Sequence, residues 1–253
     1  MTRRLLVLLA LVGGALAVGV LRVGAAEHPQ VGPPATPPAP ADVEAGRQLY
    51  LVACTTCHGA EGEGVTDRGP TLIGVGAASA DFYLTTGRMP LDRPRAQAER
   101  KRVAYNPVQI RQLVAFVASL GPGPPIPVVD PKQGDLPEGN RLYANNCAPC
   151  HSSAGAGGAL GHAVYAPPLN RATPVQVAEA VRVGPGSMPV FGPDTIDDGE
   201  LASIVRYVEY LKDPDDRGGL GLGRLGPIPE GFVAWVFGLG AMLVAVRWIG
   251  TKD

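Results

Sequence analysis

Two short stretches decide how this chain is read: Cys54-Thr55-Thr56-Cys57-His58 and Cys147-Ala148-Pro149-Cys150-His151. Each is C-x-x-C-H, the spacing at which a c-type haem attaches to protein. Two thiols three positions apart can add to the two vinyl groups of one porphyrin. The adjacent imidazole then lies over the iron as its proximal ligand. Paired cysteines also serve other chemistries, and the surroundings weigh against them. A thioredoxin-like redox pair expects a βαβ context, whereas each motif here ends a helical stretch. A zinc site needs two further Cys or His ligands. Only His28 and His162 remain, and neither has a counterpart in the other half. The spacing predicts two covalently bound haem c groups, joined through Cys54, Cys57, Cys147 and Cys150, with His58 and His151 on the irons.

Around these motifs the chain repeats itself. Gly46, Leu49, Tyr50, Cys54, Cys57 and His58 fall in register on Gly139, Leu142, Tyr143, Cys147, Cys150 and His151. Further on, Pro70-Thr71-Leu72 answers to Pro167-Pro168-Leu169, and Arg88-Met89-Pro90 to Ser187-Met188-Pro189, with insertions between the motifs. Each copy closes with apolar residues at helical spacing: Ile110, Leu113, Val114, Val117 and then Leu201, Ile204, Val205, Val208. Asn106-Pro107 supplies an N-cap and an N1 proline for the first closing helix. A duplicated helical domain is expected. Glycines Gly46 and Gly139 should let helices cross closely, with Tyr50 and Phe116, and Tyr143 and Tyr207, filling the crossings.

The haem irons need a sixth ligand or a deliberately open site. Met89 and Met188 are the methionines outside Met1 and the C-terminal apolar run, and they sit at matching places between haem motif and closing helix. They are read as axial thioethers, with His162 a rival in the second copy. His/Met ligation raises the reduction potential and leaves no site for substrate, which points to electron transfer. A ligand imidazole also needs its Nδ1–H held, commonly by a backbone carbonyl. Pro70 and Pro167 are the candidates, although an ordinary loop proline would look the same.

Composition agrees. Four cysteines in 253 residues exclude a disulfide-dense scaffold, and a net charge of −1 leaves no footprint for nucleic acid. The 34 glycines and 26 prolines gather partly in two Pro-rich stretches, which read as extended spacers. Leu5–Leu21 is apolar and follows Arg3 and Arg4, as in a signal peptide or uncleaved anchor. Phe232–Val246 is free of charge, carries Trp235 near its start, is followed by Arg247, Trp248 and Lys252, and reads as a membrane span, against the rival of a buried core helix. The expected order is 1–26 signal or anchor, 27–41 linker, 42–121 first domain, 122–135 linker, 136–213 second domain, 214–229 linker and 230–250 transmembrane helix. The positive flanks place both termini in the cytoplasm, if the first segment is retained, and the two domains outside.

Each half resembles a class I cytochrome c, through the glycine/aromatic helix, C-x-x-C-H, P-x-L, Met-Pro and the closing helix. The whole resembles the dihaem cytochrome cc subunits of actinobacterial cytochrome bcc complexes. Phe82-Tyr83-Leu84-Thr85-Thr86-Gly87-Arg88-Met89-Pro90 and Gly157-Gly158-Ala159-Leu160 carry that likeness, which extends over about residues 42–250. It implies an all-α fold and a role as the electron-transfer subunit of a quinol–cytochrome c oxidoreductase, with no autonomous catalytic site. The implied partners are membrane lipid, a cytochrome b subunit that oxidises menaquinol, a Rieske iron–sulfur protein that donates electrons, and the copper-centre subunit of a haem–copper oxidase that accepts them. Rival readings are a carrier subunit of another membrane dehydrogenase or oxidase, a dihaem peroxidase and a haem-based sensor. Arg88, Arg93, Arg95, Arg100, Lys101 and Arg102 crowd the region around Met89, and a solvated basic loop accounts for them as well as a docking rim does.

Overall fold

The computed structural model describes residues 39–95, 97–161, 164–215 and 227–250. The N-terminal apolar run, most of the first Pro-rich spacer, His28, His162 and much of the Gly/Pro linker before the last helix lie outside the described residues.

The first half is four helices: α1 (Pro40–Ala53), α2 (Thr55–His58), α3 (Gly76–Thr85) and α4 (Pro107–Ser119). Proline at the start of α1 and α4 fits because the first helical N–H has no partner in the helix anyway. Asn106 and Gln109 form a reciprocal capping box that fixes where α4 begins. α1 crosses α4 so closely that a Cβ on Gly46 would stand 1.9 Å from the Gln112 carbonyl oxygen. The rings of Tyr50 and Phe116 fill the crossing at 4.9 Å.

The second half repeats this plan with α5 (Leu136–Asn146), α6 (Ala148–His151), α7 (Pro174–Val183) and α8 (Asp198–Lys212). A Cβ on Gly139 would meet the Ser203 carbonyl oxygen at 2.0 Å, and Tyr143 packs on Tyr207 at 5.3 Å. Tyr50 and Tyr143 each donate a 2.7 Å hydrogen bond to the carbonyl just past the haem motif, Gly59 and Ser152 respectively. The main difference between the halves is a small antiparallel ladder, β1 (Gly158–Ala159) against β2 (Tyr165–Ala166). It takes up the extra length in the second copy, where the loop from His151 to Pro167 spans 16 positions instead of the 12 from His58 to Pro70. An all-helical expectation misses it because two-residue strands leave no periodicity to read.

The halves also touch. α3 packs on α7, and Gln176 donates to Thr85 Oγ1 at 3.3 Å while accepting from Arg100 Nη2 at 2.7 Å. Gln97 pairs in both directions with the backbone of Tyr165, at 2.7 and 3.1 Å. Asp81 and Glu179 are buried in the same contact, 3% and 0% exposed.

The final helix, from Ile228 to Gly250, has 23 residues and a mean hydropathy of 1.9. Its apolar side chains, among them Trp235, Phe237, Met242 and Trp248, stand exposed all round. A core helix would bury one stripe. This is the helix, among the described residues, that is long and apolar enough to cross a membrane.

Candidate haem centres

Each C-x-x-C-H motif is one helical turn set directly after a longer helix. Cys54 and Cys147 close α1 and α5 by donating their N–H groups to Tyr50 and Tyr143. The short helices α2 and α6 then turn the second cysteine and the histidine inward. After each histidine the backbone enters the left-handed region, at Gly59 (φ 78°) and at Ser152 (φ 63°). Glycine tolerates this without strain, whereas serine is a rarer occupant. The chain then folds back beside the imidazole. Gly64 N–H returns to the His58 carbonyl at 2.7 Å, and Gly157 N–H to the His151 carbonyl at 2.9 Å.

His58 Nδ1 stands 2.8 Å from the Pro70 carbonyl oxygen, and His151 Nδ1 stands 3.0 Å from that of Pro167. A carbonyl can only accept, so Nδ1 carries the proton in both rings. Nε2 is left with its lone pair free for a metal. Burial pushes the His151 pKa down, against the opposing pull of the Pro167 carbonyl, which favours the neutral, ligating form.

A cavity of about 410 Å³ opens in front of His58, lined also by Cys54, Cys57, Met89, Tyr50, Leu113 and Val117. A narrower cleft of about 180 Å³ lies in front of His151, lined by Cys147, Cys150, Met188, Tyr143, Ile204 and Val208. The structure thus brings the two cysteines, the histidine and the methionine of each half to one cavity, with the second-half set repeating the first. His162 falls outside the described residues.

The walls suit haem c and not a bare ion. Among the described residues no three His, Cys, Asp or Glu side chains gather as a metal site. Burial, reinforced by the neighbouring cysteine, pushes the Cys54 and Cys147 thiols up to about 11. Such thiols resist ionisation, which disfavours thiolate chemistry, whereas a thioether sulfur carries no proton to lose. The linings are mostly aliphatic and aromatic, as a porphyrin face requires, with a few polar and cationic side chains among them.

The methionine loops are held from both ends. Met89 N–H bonds the Tyr83 carbonyl at 3.0 Å, and Lys101 Nζ bonds the Pro90 carbonyl at 2.7 Å. In the second half Arg182, 9% exposed, donates to the carbonyls of Phe191 and Ile196 at 3.0 and 2.7 Å and to Asp198 at 2.7 Å. Sequence reasoning missed Arg182, because an arginine on an amphipathic helix reads as solvent-facing. It also missed that the cavities share walls: Tyr83, Ala98 and Gly186 line both. No periodicity or spacing carries that signal.

Comparison with known proteins agrees with this geometry. The family model described as Cytochrome c matches residues 43–121, and that described as Cytochrome C oxidase, cbb3-type, subunit III matches residues 134–208. The chain is similar to a protein of Corynebacterium diphtheriae named cytochrome bc1 complex cytochrome c subunit. They are 37% identical over 83% of this chain and 81% of the relative. A Mycobacterium bovis protein of the same name is 39% identical over 82% of this chain and 77% of the relative. A cbb3-type cytochrome c oxidase subunit of Azospirillum brasilense is 30% identical over 66% of this chain and 61% of its own length.

Proposed function

The chain belongs to the family of cytochrome bc1 complex cytochrome c subunits, and from this we propose that it is a membrane-anchored dihaem carrier linking quinol oxidation to a terminal oxidase. Haem c supplies a one-electron iron couple. The chain's own residues do the rest. The cysteine pairs would hold each porphyrin, with His58 and His151, oriented by the Pro70 and Pro167 carbonyls, as iron ligands. Met89 and Met188 would supply the second ligand of each iron, which would keep substrate and oxygen off the metal and hold the potential up.

The observation that carries this reading is the shared wall. Two donor sets face cavities that share Tyr83, Ala98 and Gly186 as wall, so an electron entering one domain would pass to the other across this wall. Entry would be from a Rieske iron–sulfur protein served by a cytochrome b subunit, and exit to the copper centre of a haem–copper oxidase. The C-terminal helix would span the membrane, with both haem domains outside the cytoplasm. Domain limits of 42–121 and 136–213 follow, with Pro-rich linkers before and between them.

The cbb3-type match over residues 134–208 favours a second reading, an electron-entry subunit of an oxidase. The higher identity and wider coverage of the bc1 subunits weigh for the first. Purifying the native protein in mild detergent separates the two. Our reading expects cytochrome b, a Rieske protein and an oxidase to accompany the chain. An oxidase catalytic subunit without cytochrome b and Rieske protein would contradict it.

A further inference from the structure

The second cavity is built from both domains. Phe82, Tyr83, Arg88, Gln97, Ala98 and Arg100 of the first domain line it together with the cysteines, His151 and Met188 of the second. Among its described lining residues there is no Asp or Glu, and the second domain contributes no Lys or Arg. Its cationic groups therefore come from the neighbouring domain.

Those cations lack an anion. Arg88 is 9% exposed, and its Nη1 is buried with no hydrogen-bond partner. Arg100 spends one N–H on Gln176 Oε1 at 2.7 Å. Neither forms an ion pair with a carboxylate among the described residues. Burial, and then the charges of Arg88 and Arg171, push the Arg100 pKa down to about 10. Two guanidinium groups lining one partly buried cavity are unfavourable unless a negative group joins them. Both are nevertheless fixed in place. Arg88 lies over the Phe82 ring at 4.9 Å, and Arg100 is tied to the start of α7. Their neighbours Arg93, Arg95, Lys101 and Arg102 are exposed, so the basic cluster is split between solvent and this wall.

We propose that Arg88 and Arg100 of the first domain bind the propionate carboxylates of the haem carried by the second domain. The inference rests on the dihaem reading above. A porphyrin seated on Cys147 and Cys150 brings two carboxylates into a cavity whose own domain contributes no Lys or Arg to the lining. The planar guanidinium fork suits carboxylate pairing. The contact makes the second haem part of the bond between the domains.

The test is a spectroelectrochemical titration of the full-length haem-loaded chain in detergent, repeated from acid to alkaline pH. The second haem is assigned as the one missing from a Cys147→Ser/Cys150→Ser variant. Arg88→Gln and Arg100→Gln should each lower the second haem's potential, because removing a nearby cation favours the oxidised iron. The freed propionate should also protonate on reduction, giving that potential a pH slope of up to one proton per electron. Arg88→Lys should restore most of the potential, and Arg111→Gln, an exposed control on α4, should change neither haem. Unchanged second-haem potential and slope in both glutamine variants would overturn the clamp, as would a shift confined to the first haem. A wild-type chain with fewer than two haems would instead overturn the dihaem reading, and that ratio is read before any variant is compared.

Discussion

Met188 reaches its cavity on a loop whose two carbonyls, Phe191 and Ile196, end on one buried guanidinium. Arg182→Ala would leave those carbonyls without a donor, a cost of about 1–3 kcal/mol for each buried group. It would also release the loop that presents the thioether. We expect the second haem's potential to fall towards that of a Met188→Ala variant while the first is unchanged, as read by redox titration. Met89→Ala should do the converse, lowering the first potential alone, since losing the thioether removes the ligand that raises it. The cysteines, histidine and methionine that line each cavity were legible in the sequence. C-x-x-C-H has a fixed spacing, and Met is scarce enough here that its two matching places stand out. Arg182, Arg88 and Arg100 were not legible. An arginine's role depends on where its long side chain ends, and residue spacing does not record that.

At the scale of elements, the two crossings α1/α4 and α5/α8 carry the fold. Each depends on one glycine facing a backbone carbonyl, which cannot swing aside as a side chain would. Gly46→Ala or Gly139→Ala should destabilise its domain by about 1–3 kcal/mol through overpacking, measured by denaturant unfolding of the haem-loaded chain. The repeat, the amphipathic closing helices and the Asn106 cap made these crossings readable in advance. The α3/α7 contact between domains was invisible, because it buries charged and polar residues that sequence patterns assign to solvent. Asp81 and Glu179 show this most sharply. Three of their carboxyl oxygens, Asp81 Oδ1 and both of Glu179, are buried without a hydrogen-bond partner. Burial, and for Glu179 the facing Asp81, holds both pKa values above the usual carboxylate range, so the pair keeps a proton at neutral pH. The folded chain then binds a proton that the unfolded chain releases above the ordinary glutamate value of 4.5. Stability from this contact is full below that value and is lost as pH rises through the folded-state value. Glu179→Gln should flatten the pH dependence of unfolding between about pH 5 and pH 9. An unaltered profile would mean that the pair does not titrate as described.

For the whole molecule, a small domain that folds around a covalent cofactor can have a thin core of its own. The cores found here are compact: Leu142, Val177, Ile204 and Val208 with their neighbours in one half, Ile110, Leu113 and Val117 with theirs in the other. Both border the cavities, so removing haem should destabilise each half. The last helix is separate in purpose. Its exposed apolar surface predicts that a chain ending before Pro227, and exported on a cleavable signal in place of residues 1–26, is released from membranes into buffer with its visible spectrum unchanged. Fractionation of cells and an absorbance scan check this. The central claim is that one polypeptide carries two haem c groups, one in each cavity, as adjoining stations for an electron. The direct test is the pyridine haemochrome absorbance of the full-length protein in mild detergent, set against its protein concentration. Two haems per chain, falling to one in the Cys147→Ser/Cys150→Ser variant, is the predicted result, and a wild-type ratio of one or none would contradict the account.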